Sequence, residues 1–248
     1  MVKQTKERRS AWYSIALLAI IVFVVIMFWH LPAKTRQGVN FKVRTVQIPL
    51  AIKAMDFLVR DWKYRVAAAE IVNMKATPDE RILAIYAWTR EHIRRQPRDF
   101  PVIDDHILHI MIRGYGISDQ MADVFTTLCA YAGVSAYWRP VRVRPDKGAL
   151  VLSFALADNG WTVLDVANGL VFRDTAGSLV PASALLENPE LISQVTGDRY
   201  LEDVPYTAYL AAIGDVTPPS PLRAELQMPV RRLLYELKRL ISFNRAPA

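Results

Sequence analysis

The chain has 248 residues, with 31 Lys and Arg against 24 Asp and Glu, and a formal net charge of +7. Its single cysteine, Cys129, excludes an internal disulfide and a cysteine-based metal cluster. The first ten residues hold four of the basic residues and one acid, so the remainder is only mildly basic and lacks the charge pattern of a nucleic-acid-binding protein.

An uncharged apolar segment follows this tail. Residues 11–29 read AWYSIALLAIIVFVVIMFW, and at about 1.5 Å per residue a helix of that length crosses a hydrocarbon core roughly 30 Å thick. A cleaved secretory signal is the alternative, but its apolar core is usually shorter, and here aromatic residues stand at both ends as interfacial anchors do. We therefore predict a single transmembrane helix at residues 11–31.

The charges beside this helix predict its orientation. The tail, residues 1–10, is basic, which favours the cytoplasm. Lys34, Arg36, Lys42 and Arg44 beyond the helix argue the other way, although a long domain is translocated largely regardless of its charge. We predict a single-pass protein of a bacterial inner membrane, with its N-terminus in the cytoplasm and its main domain in the periplasm.

The next segments have helical patterns. Residues 32–46 are polar and are predicted to be a linker. Apolar residues then recur at helical spacing from Ile48 to Ala69. A second helix is predicted from Thr77, whose Thr-Pro-Asp-Glu sequence is an N-terminal capping pattern, to Arg95. A third runs from Ser118 to Tyr131 and ends before Gly133.

The pattern then changes to strands. Residues 134–144, 149–157 and 161–166 predict an antiparallel meander, with a turn at Asp158-Asn159-Gly160. We place one domain at residues 47–216 and a Pro-rich break with a final helix at residues 217–248. That helix has leucines on one face and basic residues elsewhere, so it could pack on its own domain, lie on an anionic membrane or bind a partner.

Three stretches of sequence resemble the transglutaminase-like superfamily, which has the papain-like cysteine hydrolase fold. They are ERILAIYAWTREHIRR (80–95), RGYGISDQMADVFTTLCAYAGVSAY (113–137) and residues 150–165, which include Asn159-Gly160-Trp161 and Leu164-Asp165. The resemblance implies an α+β fold in which helices pack on an antiparallel sheet. It also implies a Cys-His-Asp triad formed by the start of one helix and two strands.

The triad positions are mostly replaced. Ser118 stands at the nucleophile, Leu150 or Leu152 at the histidine, depending on the alignment, and Asp165 at the aspartate. The chemistry needs a thiolate, an imidazole that moves the proton and a carboxylate that orients it. The four histidines, His30, His92, His106 and His109, all precede Ser118. We therefore predict a degenerate site without catalytic residues.

A retained groove could still bind a ligand, with Ser118, Asp119, Gln120 and Asp165 as its predicted lining, although Asp119 and Gln120 can equally be helix caps.

The resemblance implies a binding or scaffold subunit in cell-envelope assembly or export, in particular of surface polysaccharide. The expected partners are membrane lipid, a membrane or envelope protein, and a polysaccharide or peptide. The competing prediction is a hydrolase or acyltransferase that uses Ser118 with an unidentified base. A structural subunit of a membrane complex is the third possibility.

One further cluster and the single cysteine are also candidate sites. Asp104, Asp105, His106 and His109 could bind a metal, but they fit the start of a short helix better, and no further ligand is evident. No metal or other cofactor is predicted. Cys129 lies on the apolar face of its helix and is expected to be a buried residue rather than a displaced nucleophile.

Overall fold

The structure is a computed structural model that describes the backbone of residues 2–104 and 106–243 and the side chains of residues 12–104 and 106–241. The helices are α1 (Val2–His30), α2 (Leu50–Val72), α3 (Pro78–His92), α4 (Ile107–Arg113), α5 (Ser118–Tyr131), α6 (Ala182–Glu187), α7 (Pro189–Thr196), α8 (Tyr206–Ala211) and α9 (Pro229–Phe243), with a 3-10 helix at Glu225–Gln227. The strands are β1 (Pro32–Val39), β2 (Lys42–Pro49), β3 (Arg94–Arg95), β4 (Ile103–Asp104), β5 (Tyr115–Gly116), β6 (Ala136–Val141), β7 (Leu150–Ala157), β8 (Gly160–Asp165), β9 (Leu170–Val171), β10 (Tyr200–Leu201) and β11 (Val204–Pro205). The predicted α+β class is confirmed.

Helix α1 contains the apolar segment. Over Trp12–His30 its mean hydropathy is 2.5, and none of this stretch is buried inside the protein. By length and composition it can cross a membrane.

A β-hairpin follows α1, where a linker was predicted at residues 32–46. Strands β1 and β2 pair along their whole length, from Pro32 with Pro49 to Val39 with Lys42. The turn residues Asn40 and Phe41 both have positive φ, 49° and 64°. The hairpin brings the chain back to the end of α1, because the Leu50 amide donates to the Leu31 carbonyl at 2.7 Å. The linker prediction was therefore wrong.

Helix α3 begins as predicted and ends early. Thr77 Oγ1 accepts from the Glu80 amide at 3.2 Å, while Glu80 Oε2 accepts from the Thr77 amide at 3.2 Å, which is a capping box. The helix was predicted to reach Arg95 but ends at His92. Beyond it, β3 pairs with β5 in parallel, and the Arg94 amide donates to the Gly114 carbonyl at 2.8 Å. The Arg94 amide therefore donates across the strand pair instead of to a carbonyl of a further helical turn.

The central sheet has the order β6-β7-β8-β9, and all its pairs are antiparallel. This confirms the predicted meander. One core cluster contains the apolar faces of α2, α3 and α5 together with Ala155, Ala157 and Leu164 of the sheet. A second cluster contains Leu150, Leu152 and other sheet residues together with those of α6, α7 and α8. The sheet thus separates two cores, and α5 packs on one side of it.

The C-terminal segment is continuous with this domain. Leu222, beyond the predicted boundary at residue 217, is 8% exposed and packs in the second cluster, and Ala224 is 4% exposed. The Pro-rich residues 217–221 are therefore not a free linker, because buried side chains follow them directly.

Candidate functional site

Ser118, which the family resemblance predicted at the nucleophile position, lies at the start of α5. It is the first residue of α5 and is half-buried. Strand β5 leads into it, and Gly116 in that strand leaves little room for a side chain, since a Cβ there would lie 3.0 Å from Gln120 Cβ. The close packing of β5 against α5 therefore favours glycine at position 116.

Gln120 fixes the start of α5 to its surroundings. Gln120 is only 8% exposed. Nε2 donates to the Ile103 carbonyl at 2.7 Å, and Oε1 accepts from Arg113 Nη2 at 3.0 Å and from the Ile117 amide at 3.3 Å. Asp119 Oδ1 accepts from the Gln120 amide at 2.8 Å. Both residues thus have capping and bracing roles, and both ends of the Gln120 side-chain amide are engaged.

Asp165 lies at the end of β8 and is 1% exposed. Its two carboxylate oxygens accept from Asn168, Oδ1 from the amide at 3.0 Å and Oδ2 from the side-chain Nδ2 at 2.7 Å. Burial raises the pKa of Asp165, while the bonds from Asn168 and the guanidinium groups of Arg95 and Arg90 oppose that rise. The carboxylate therefore holds the turn after β8.

Arg95 connects Asp165 to the strand before Ser118. Its Nη1 donates to Asn168 Oδ1 at 2.9 Å, and in the parallel β3–β5 pair Arg95 is the partner of Gly116. The Gln96 amide donates to the Gly116 carbonyl at 2.9 Å. Thus Ser118 and Asp165 belong to one connected region, joined by Arg95 and Asn168, two residues that we did not predict from the sequence.

Leu150 and Leu152, the two residues predicted as alternatives for the family's histidine position, are both core residues. Leu150 is 3% and Leu152 1% exposed, and both lie in the second cluster with Phe154. The next residue along, Ser153, pairs with Leu164 of the first cluster, so the two faces of β7 alternate as in any strand. Leucine side chains supply no proton acceptor, whichever alignment is used.

A second carboxylate of α5 is also buried. Asp123 is 8% exposed; its Oδ1 accepts from Trp138 Nε1 at 2.6 Å and its Oδ2 from Arg223 Nη2 at 2.8 Å. Burial raises the pKa of Asp123, and Arg223 and Trp138 oppose that rise. This cluster joins α5 to β6 and to the C-terminal segment, and it too was missed from the sequence.

Cys129 is 0% exposed, as expected for a core residue. Burial raises the pKa of its thiol, which disfavours the reactive thiolate.

The histidines of the globular domain have partners of their own. His92 stacks on Trp88, with ring centroids 4.4 Å apart, and its Nδ1 is 2.9 Å from the Trp88 carbonyl. His106 Nδ1 is 2.9 Å from Arg60 Nη1, and the rings of His106 and His109 are 5.8 Å apart. Over the described residues, which do not include Asp105, no three His, Cys, Asp or Glu residues could jointly hold a metal ion.

A basic cleft opens between the hairpin and α4. Its volume is about 760 Å³, and its lining includes Arg36, Lys42, Arg44, His106 and His109, with Asp104 as an acidic member. A smaller cavity of about 230 Å³ shares His106 and His109 and extends to Arg60 and Asp56 of α2. Neither cavity is lined by Ser118, Asp119, Gln120 or Asp165.

Parts of the chain are similar to known proteins. Two solved structures show some likeness: a "putative protease" from Parabacteroides distasonis, 12% identical over 55% of this chain with a TM-score of 0.34, and a "putative cysteine protease" from Cytophaga hutchinsonii, 14% identical over 48% with a TM-score of 0.38. The chain matches 36% and 40% of their respective lengths. No curated protein matches it significantly. A family model, described as the transglutaminase-like superfamily, matches residues 65–166, from the middle of α2 to just after β8. Residues 65–166 of this chain are therefore a transglutaminase-like domain.

Proposed function

We propose that this protein is a membrane-anchored transglutaminase-like protein that binds a ligand at the cell envelope and does not carry out cysteine catalysis. The observation that carries the proposal is the burial of Leu150 and Leu152, at 3% and 1% exposure, where the family has its catalytic histidine. A serine hydroxyl is a weak nucleophile unless a neighbouring base removes its proton. Ser118 has no such base at that position.

The surroundings of Asp165 support the same conclusion. In a working triad the carboxylate orients an imidazole. Here both oxygens of Asp165 accept hydrogen bonds from Asn168, and Arg95 donates a hydrogen bond to the side-chain oxygen of Asn168. The carboxylate has become part of a structural turn.

The remaining polar groups could recognise rather than cleave. Ser118, Asp119, Gln120 and Asp165 are the proposed ligand-binding residues, and the proposed ligand is an envelope polysaccharide or peptide. Because Gln120 and Asp165 are engaged in internal hydrogen bonds, Ser118 and Asp119, both half-buried, would make the first contacts.

The membrane part of the proposal depends on α1, which is apolar enough to cross a bilayer. We propose that it anchors the protein in a bacterial inner membrane, with the domain in the periplasm, where the protein serves surface polysaccharide assembly or export. An exposed stripe on α2 supports a protein partner as well. Ile52, Met55, Val59 and Trp62 are 47 to 59% exposed and follow each other at the alternating three- and four-residue spacing with which helices pair.

The experiment is a labelling test of the full chain with a fluorophosphonate, a reagent that reacts with activated serines. We expect no labelling of the wild type, and we expect Ser118→Ala to weaken ligand binding, because Ser118 contacts the ligand in this proposal. Labelling of the wild type that disappears in Ser118→Ala would overturn the proposal and support the hydrolase or acyltransferase. Loss of partners on deletion of residues 229–248, with no effect of Ser118 or Asp119 substitutions, would instead favour a purely structural subunit.

A further inference from the structure

The C-terminal helix α9 leaves its apolar face uncovered. All its large aliphatic side chains with described exposure are open to solvent, between 46 and 67%: Val230, Leu233, Leu234, Leu237, Leu240 and Ile241. At 100° per residue they occupy about one third of the helix circumference. A soluble domain would normally bury such a face.

The other side of α9 is basic and is the side that contacts the protein. Arg231 forms an ion pair with Glu225, and the Arg232 guanidinium lies 5.8 Å from the Phe57 ring of α2. Lys238 and Arg239 complete the basic set, and Glu236 is the one acid between residues 229 and 241. Leu234, at the edge of the apolar face, lines a cavity of about 600 Å³ together with Pro221 and Glu225. The rest of the apolar face points away from these contacts.

The place where α9 is held is close to the end of α1. Phe57 is seven residues into α2, about 10 Å along the helix axis. The first residue of α2, Leu50, is hydrogen-bonded at 2.7 Å to Leu31, which directly follows α1. If α1 spans a bilayer, α9 therefore begins near its surface.

We propose that α9 is a second membrane contact, which lies in the interfacial plane of an anionic bilayer with its leucines among the lipid chains and Lys238, beside that face, at the headgroup phosphates. An exposed apolar face flanked by Lys and Arg is the arrangement by which interfacial helices bind anionic lipid. This inference rests on the proposed anchoring by α1. It accounts both for the uncovered leucines and for the excess of positive charge.

The test uses the full chain in lipid nanodiscs. The native thiol, Cys129, is fully buried, so an added cysteine can be labelled selectively with an environment-sensitive dye. The variants are Leu237→Cys on the apolar face, Arg239→Cys about 200° around the helix as the matched control, and Val22→Cys in the middle of α1. Quenching by nitroxide-labelled lipids reports contact with the bilayer.

We expect quenching at position 237 in discs rich in phosphatidylglycerol, much less in discs of phosphatidylcholine, and little at position 239 in either. Replacing Lys238 with Gln should lower the ratio of bound to free helix by roughly fivefold, the usual contribution of one basic residue at an anionic surface. Quenching at position 22 without quenching at 237 leaves the anchor intact and overturns this inference. Absence of quenching at both positions refutes the anchor and the inference together.

A second copy of the chain is the competing occupant of this face. If the dye at position 237 becomes shielded only in discs that contain two copies, and is insensitive to nitroxide lipids, the leucines pack against another protein and the lipid proposal is wrong.

Discussion

Asp165, predicted at the aspartate position of the family's triad, serves as an acceptor within a turn. The carboxylate is almost fully buried and accepts two hydrogen bonds from a neighbour only three residues away. Two guanidinium groups, of Arg90 and Arg95, lie close enough to affect its pKa, yet desolvation is the larger influence. The presence of the family's residue type therefore does not establish the family's role; the partner of the carboxylate does.

We predict that Asp165 makes stability depend on pH. Burial raises its pKa in the folded state above the ordinary value of 3.8. The folded protein then binds this proton more tightly than the unfolded chain, so the stabilising contribution is complete below pH 3.8 and is lost as the pH rises through the raised pKa. Asp165→Asn should remove this decline.

The measurement is the free energy of unfolding in detergent from about pH 3.5, near the ordinary pKa of an aspartate, to about pH 7.5. Asp203→Asn is a suitable control, because the Asp203 side chain is 93% exposed. Parallel pH profiles for wild type and Asp165→Asn would contradict the prediction.

Restoring the family's residues should not restore its chemistry. In the double variant Ser118→Cys, Leu150→His the new imidazole would enter an apolar cluster that lies on the sheet face away from α5. We expect a loss of stability of about 2 to 5 kcal/mol, because a core leucine is lost and a polar ring is buried. The alkylation rate of the new thiol should have the same pH profile in the double variant as in Ser118→Cys alone. A thiol that becomes reactive at lower pH only when the imidazole is present at position 150 would disprove this.

The sequence predicted Ser118 and Asp165 as candidate site residues because they stand in recognisable motifs. It did not identify Arg95 as the link between them, since the contact with Asn168 spans 73 residues and no local pattern marks it. Asn168 could have been found: an aspartate followed three residues later by asparagine, just before Gly169, is typical of a side-chain-stabilised turn.

The capping box of α3 is a local feature that the sequence predicted and the structure confirms. We predict that Thr77→Ala lowers the free energy of unfolding by about 1 kcal/mol, because the Glu80 amide loses its acceptor. Thr77→Ser keeps the hydroxyl and should remain close to wild type. Denaturant titration of the three proteins measures the difference, and an equal loss in both variants would show that the Thr77 methyl group, not the cap, matters.

Helix α2 has two faces with different expected sensitivities. Tyr64 is 1% exposed, and its hydroxyl accepts from the Leu108 amide at 2.9 Å. Tyr64→Phe should therefore cost about 1 to 3 kcal/mol, because a partly buried amide loses its partner. Trp62, two residues earlier and 57% exposed, should tolerate replacement by Gln within about 0.5 kcal/mol.

Thermal unfolding of the purified protein distinguishes these cases. If Trp62→Gln is as damaging as Tyr64→Phe in the isolated chain, the α2 stripe is already buried, for example between two copies. If it is harmless to the fold but removes a partner in cells, the stripe is the protein-binding surface that we propose.

The hairpin after α1 shows where pattern-based prediction fails for an element. Its strands are rich in polar residues, and its turn is Asn40-Phe41 instead of an Asn-Gly or Asp-Gly pair. A phenylalanine at positive φ is uncommon and gives no turn signal. The hairpin is supported by the pairing of β1 with β4, which lies 64 or more residues further along the chain, and that contact is not visible in sequence.

The arrangement of the C-terminal segment also departed from prediction. A Pro-rich stretch favoured a boundary near residue 217, but two polar contacts tie the following residues to the domain. They are Arg223 with Asp123, and Tyr131 with the Gln227 carbonyl. Each partner is more than 70 residues away in sequence, so proline content alone could not reveal whether the segment was free or docked.

Tyr131 offers a way to test how firmly this segment holds α9 near the membrane. Its hydroxyl lies 3.0 Å from the Gln227 carbonyl and 2.8 Å from Asp61 Oδ1, so its single proton can be donated to either. In Tyr131→Phe both acceptors lose this donor, and one hydrogen bond of about 0.5 to 1.5 kcal/mol disappears. If the segment opens locally, its open fraction should rise by roughly two- to tenfold.

Chymotrypsin cleavage between residues 214 and 228, in the nanodisc-bound full chain, measures this opening. We expect faster cleavage in Tyr131→Phe. We expect no change in Tyr200→Phe, because Tyr200 is 61% exposed. If the membrane holds α9 independently, lipid quenching at position 237 should persist in Tyr131→Phe although the segment is cleaved faster. Loss of quenching together with faster cleavage would show that the domain, rather than the bilayer, determines where α9 lies.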